Sequence, residues 1–86
     1  MQMQTKRQRA LAPGDVIVID RGGSVARVIS NSPDPFTSRA LGMRAIRFLM
    51  DDGREGGWVG RGDSVVDMAD RAGVARMAAV AAGGAR

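Results

Sequence analysis

The chain contains no cysteine, no histidine and no tyrosine, and Lys6 is its only lysine. Without cysteine there is neither a disulfide framework nor a thiolate metal site. Without histidine the usual near-neutral base and the commonest metal ligand are missing. Long apolar runs are absent too. The longest are a few residues, against the ~20 that span a bilayer. Lys6, Arg7 and Arg9 could open a leader, but Ala10-Leu11-Ala12 runs straight into Pro13-Gly14, so no apolar core follows. The expectation is one soluble cytoplasmic domain of 86 residues, with no membrane partner. Twelve arginines against one lysine, with abundant Ala, Gly and Val, fit the codon bias of a GC-rich genome. They suggest a high-GC bacterium or its phage, hence a host cytoplasm or a virion.

Catalysis has little to work with. Ser64 sits in Gly62-Asp63-Ser64-Val65-Val66, which lacks the second glycine of a nucleophile elbow. Asp51, Asp52 and Glu55 form the densest acidic cluster, but their spacing matches no calcium loop and suits a solvated turn. Glycines 53, 56, 57, 60 and 62 fit neither phosphate-loop nor dinucleotide patterns. No enzyme activity, catalytic residue, cofactor, metal or small-molecule substrate is expected.

The net charge of +4 is unevenly spread. Residues 1–14 carry +3, residues 15–70 carry −2 and residues 71–86 carry +3. The basic character lies in the ends, and a basic face on the body would need spatial segregation.

Residues 1–12 lack periodicity and read as a flexible basic tail. Pro13-Gly14-Asp15 is a turn. Val16 to Ile19 and Ser24 to Ser30 read as strands joined at Asp20-Arg21-Gly22-Gly23. Asn31 to Ser38 read as a loop, with Phe36 tucked against the core. Arg39 to Gly42 suit a short helical turn. Met43 to Met50 fit a strand, with Arg44, Ile46, Phe48 and Met50 on one face, or a helix. The Asp-Gly turn that follows favours the strand. A return strand from Glu55 to Gly60 carries Trp58, and its glycines suggest a bulge or tight bend. Ser64 to Met68 read as a fifth strand, with a helix capped by Asp63 as the alternative. Residues 70–82 are Ala-rich, with Val74, Met77 and Ala81 at helical spacing and Gly83-Gly84 as a stop. The expected organisation is a tail at 1–12, a mainly β body at 13–70, and a short helix with a C-terminal tail at 71–86.

The run Pro13-Gly14-Asp15-Val16-Ile17-Val18-Ile19, then Gly22-Gly23 and Val25 to Ile29, resembles the opening of SH3-like small β-barrels. The Asp52-Gly53 hairpin and the strand at Ser64–Met68 fit the same plan. The resemblance implies a five-stranded barrel over about two-thirds of the chain. Such barrels bind RNA, DNA, peptides or other subunits, so the likeness implies no single function. With only Phe36, Phe48 and Trp58 as aromatics, the chain lacks the aromatic cluster of peptide-binding SH3 domains.

Two functions follow as expectations. The leading one is a non-catalytic binding module in a protein assembly, acting through a protein partner or self-association. Its contact residues would be Phe36, Val74 and Met77. The second is nucleic-acid binding. Lys6, Arg7 and Arg9 would form a basic arm, and Trp58 would stack a base between Arg54 and Arg61. Arg61-Gly62-Asp63 also resembles the cell-attachment tripeptide that integrins recognise. Nothing suggests export, and chance accounts for it.

Overall fold

The computed structural model describes residues 4–37 and 39–83. Within them the chain is mainly β, with two antiparallel sheets and one C-terminal helix. The strands are β1 (Thr5–Arg7), β2 (Val16–Val18), β3 (Val25–Pro33), β4 (Met43–Met50), β5 (Glu55–Arg61) and β6 (Val65–Asp67). The helix, α1, spans Arg71–Gly83. The larger sheet runs β2-β3-β4-β5, and the smaller pairs β1 with β6.

Turn chemistry sets the hairpins. Between Ala12 and Asp15, Pro13 supplies a fixed φ and Gly14 takes φ +97°, the pattern of a type II turn. Asp20 accepts the Ser24 N–H at 3.0 Å and Gly23 turns the chain at φ +87°. At Asp51-Asp52-Gly53 the glycine again takes positive φ, +88°, and β4 leads into β5 over the expected residues.

The N-terminal segment departs from expectation. Residues 4–12 are part of the fold. In β1, Lys6 faces Val66 and Arg7 faces Val65. A 3-10 turn at Gln8–Ala10 follows, and Leu11 enters the core with 4% exposure. The physical reason is pairing. A three-residue β6 alone would leave its ladder groups unmet, and β1 supplies the partner. Among the described residues the strands therefore number six, with β1 drawn from the supposed tail. Residues 1–3 and 84–86 lie outside the described residues, as do the parts of the expected tails and of the Gly83-Gly84 stop that fall on them.

The loop is also shorter than expected. β3 continues through Asn31, paired with Ile46, to Pro33, paired with Arg44. A 3-10 turn then covers Arg39–Leu41. Phe36 does not tuck inward. It is 92% exposed, because Leu11 closes that end of the core, held there by Asn31 Nδ2 donating to its carbonyl at 2.8 Å.

β5 carries no bulge. Its register with β4 is regular from Leu49↔Glu55 to Met43↔Arg61. The irregularity is in β3, between Val28 and Ser30. The β5 glycines serve close approach instead. A Cβ on Gly57 would stand 2.6 Å from the Ile46 carbonyl oxygen, and one on Gly60 would stand 2.5 Å from Gln8 Oε1.

The core has two parts. Leu11, Ile17, Ala26, Val28, Ile46 and Phe48 pack between the sheets, with Trp58 against them. On the other face of β2 and β3, Val16 and Val25 pack under Met77 of the helix. This explains the unbroken β-branched run of β2, since both of its faces are covered. Asp70 caps the helix, accepting the Gly73 N–H at 2.9 Å, as an N-cap carboxylate does. Gly73 is required rather than merely tolerated. A Cβ there would lie 2.9 Å from Ala69 Cβ and 3.1 Å from Val25 Cγ1. Met77 has 0% exposure. It anchors the helix to its own sheet and is unavailable as a partner contact.

Candidate functional site

The expected binding residues lie in different parts of the fold. Lys6 is engaged with Asp15 at 2.8 Å. Partial burial pushes the Asp15 carboxyl up, but the Lys6 ammonium and the Ala12 N–H together hold it below the usual range. Arg54 sits on the β4–β5 turn and pairs with Asp52 at 2.7 Å. The two exposed groups favour each other's charged forms, through the Arg54 hydrogen bond to the Asp52 carboxylate. Arg54 is thus at the opposite end of β5 from Arg61. Trp58 is half-buried against the core. Its ring lies 5.0 Å from Phe48, edge-on at 64°, and its Nε1 donates to Gln8 Oε1 at 3.1 Å. Gln8 itself is buried, so the pair satisfies two polar groups at the core boundary.

Arg9 and Arg44 do come together, at Gly62. Arg9 N–H donates to the Gly62 carbonyl at 2.9 Å, and Gly62 N–H donates to the Gly42 carbonyl at 2.8 Å. A Cβ on Gly62 would meet Arg9 Cβ at 3.2 Å and Arg44 Cγ at 3.4 Å. Arg39 precedes Gly42 in the adjoining 3-10 turn. Arg9, Arg39 and Arg44 are therefore neighbours where the β3–β4 loop crosses the end of β5, while Arg61, opposite Met43, lies on the other face of that strand pair. Phe36 and Leu41, 92% and 60% exposed, stand on the same loop.

The Arg-Gly-Asp sequence is part of this construction. Gly62 is buried beneath Gly42, and Arg61 Nε lies 3.6 Å from Asp63 Oδ1. The tripeptide forms a turn with its glycine buried and the Arg61 and Asp63 side chains exposed.

Arg44 is the best-ordered guanidinium of the group. It is half-buried at the start of β4. Its Nε donates to Asn31 Oδ1 at 2.9 Å, and Nη2 donates to the Asn31 carbonyl at 3.3 Å. Asn31 in turn donates through Nδ2 to the Gln8 carbonyl at 2.7 Å as well as to Leu11. Arg44 Nη1 has no partner among the described residues. Beside it runs a shallow groove of about 380 Å³, walled by Pro33, Asp34, Pro35, Thr37, Arg39 and Arg44 among others. The Thr37 hydroxyl is buried and unpartnered among the described residues. Sequence reasoning missed Arg39, Arg44, Asn31 and Gln8. The available signal was Arg44, a charged residue on the same strand face as Ile46 and Phe48.

The opposite end is slightly acidic. Asp20, Asp51, Asp52, Glu55 and Asp70 gather there with Arg21, Arg54, Arg71 and Arg76 around the two hairpin turns and the helix start. The acidic cluster is used up internally. Asp51 accepts from Val25 N–H at 3.2 Å and lies 3.4 Å from Arg76. Glu55 pairs with Arg47 at 2.6 Å. Among the described residues no three carboxylates gather as metal ligands, and no helix is long and apolar enough to cross a membrane.

No family model matches the chain, and no curated protein matches it. Its fold is similar to that of a translation initiation factor eif-5a family protein from Naegleria fowleri. The TM-score is 0.65 at 10% identity, over 81% of this chain and 49% of that one. The chain thus spans about half the length of that protein, and the likeness is one of fold.

Proposed function

We propose that this chain is a non-catalytic nucleic-acid-binding module, an SH3-like small barrel whose contact surface is the arginine-rich end of the β3–β4 loop. One observation carries the proposal. Arg9, Arg39 and Arg44 gather at one end, with Arg7 and Arg61 at its margins and Asp34 and Asp63 as its carboxylates, while the other end is slightly acidic. This is the charge segregation that a phosphate-binding surface requires. A neighbour of the same fold bears the description of a translation initiation factor family protein, which is compatible with a role on RNA.

The assembly reading ranks second. Exposed Phe36 and Leu41 favour it. It is weakened because Met77 is internal, and because Val74, on the helix beside the start of β3, is far along the fold from Phe36.

The test is fluorescence anisotropy with labelled oligonucleotides across a salt series. With about four phosphate contacts, log K should fall with log salt at a slope of roughly −3 for single strands or −4 for duplex. The double substitution Arg9→Gln/Arg39→Gln should weaken binding, and Arg21→Gln/Arg71→Gln at the acidic end should not. Absence of binding at low salt, or equal effects of the two variants, would overturn the proposal.

A further inference from the structure

Resting on the nucleic-acid reading, we infer that the ligand is a single-stranded polynucleotide. One unpaired base stacks on Phe36, and the adjoining phosphate sits in the groove between Arg39 and Arg44.

Three observations point this way. The first is Phe36 itself. It is the only aromatic ring that the core does not use, since Phe48 and Trp58 pack against each other. A ring 92% exposed has little to gain on a duplex, whose phosphate edge is polar and whose bases are stacked away. An unpaired base offers it a π-face. The ring is also presented on a restrained loop. Pro35 precedes it and narrows the backbone options at Asp34, and Asp34 N–H donates to the Met43 carbonyl at 3.0 Å.

The second is the state of Arg44. Its guanidinium is held by two bonds to Asn31, which leaves Nη1 directed by a fixed fork rather than by a freely rotating chain. Such an arginine loses less entropy on binding phosphate than a surface arginine does. The Thr37 hydroxyl in the same groove is a donor without a partner among the described residues. The third is the groove's balance. Arg39 and Arg44 face one carboxylate, Asp34, leaving a single positive charge in a space of about 380 Å³. That suits one phosphate, and it is too small to seat a duplex edge.

The experiment titrates the full chain and its Phe36→Ala and Phe36→Trp variants at low salt. The probes are labelled RNA and DNA of about twelve nucleotides, each as single strand and as duplex. Single strands should bind roughly tenfold tighter than duplexes. Phe36→Ala should lose about tenfold or more on single strands and little on duplexes, while Phe36→Trp retains binding. Unchanged melting of each variant confirms the fold, as expected for so exposed a site. Preference for RNA over DNA would mean that the 2′-hydroxyl is read, and equal binding would mean that only base faces and phosphates are. Both satisfy the inference. Duplex bound as well as single strand, with Phe36→Ala indistinguishable from wild type, would overturn it and leave the nucleic-acid reading standing. If wild type binds none of the probes, both fall.

Discussion

Replacing Leu11 by alanine should unfold much of what the first eleven residues hold in place. Leu11 is 4% exposed and packs with Ile17, Ile46 and Phe48. Truncating a buried leucine costs about 2–5 kcal/mol, through lost transfer energy and the cavity left behind. The site is at the rim of the core, so partial collapse is available, and about 3 kcal/mol is the working figure. A domain of 86 residues has roughly 4–13 kcal/mol in total. A loss of about 3 kcal/mol lowers the melting temperature of so small a domain by roughly 12–24 °C. Thermal unfolding followed by circular dichroism reads this directly. A Leu11→Ala protein melting within about 2 °C of wild type would refute the reasoning, because that shift corresponds to under about 0.5 kcal/mol. The N-terminal segment would then be an accessory to the fold. The same logic makes deletion of residues 1–10 a poor probe of nucleic-acid binding. It would remove β1 and Gln8 along with the arginines, and lost affinity would report lost structure.

Gly60→Ala tests the core boundary. Its methyl must displace the Gln8 side chain, leaving Trp58 Nε1 without its acceptor, at a cost of about 1–3 kcal/mol, and the Trp58 emission should shift as water reaches the ring. Unchanged emission and stability would show that Gln8 moves aside freely. For Asp15, the folded carboxyl titrates below its unfolded value. Its contribution is therefore complete above about pH 4 and is lost as pH falls through the lowered folded value. The stability gap between wild type and Asp15→Asn should hold steady from about pH 5 to 7 and close below about pH 4. A gap that persists unchanged in strong acid would rule out the Lys6 pairing as its source.

Much of the sheet could be read from local chemistry. β4 was legible because alternation over Met43–Met50 ends on Asp-Gly, so period and turn agree. β2 was legible as a β-branched run between two turns. What escaped depends on non-local pairing. β1 is Thr-Lys-Arg, with no apolar period, and becomes a strand only because β6 needs a partner. Gln8 is polar and buried because non-local partners meet its polar groups, among them Trp58, fifty residues on, which donates to its side chain. The glycines of β5 looked like a distortion because local rules know only φ preference. Their cause is the nearness of Ile46 and Gln8. Met77 looked like a contact residue because the helical stripe is thin, but a single buried methionine with Gly73 beside it is enough to seat the helix. The charge split by chain segment misled for the same reason. Arg39 and Arg44 belong to the nominally acidic body, and only the crossing at Gly42 and Gly62 sets them beside Arg9.

That crossing ties the stability of the N-terminal segment to the proposed site. Asn31 holds the Gln8 and Leu11 carbonyls with one end of its amide and Arg44 with the other. Loosening the segment therefore releases the residue that orients the guanidinium, even though no charge is removed. Two kinds of binding defect should then be separable. Loss of Arg9 or Arg39 removes a counter-charge, so it should flatten the salt dependence as well as weaken binding. Loss of Leu11 or Gln8 packing leaves the charges in place and costs order, so affinity should fall while the salt slope stays near its wild-type value. A stability variant that kept both its affinity and its slope at wild-type values would mean that the arginines reach phosphate without the Asn31 bridge, and the fixed geometry of Arg44 would then have no part in binding.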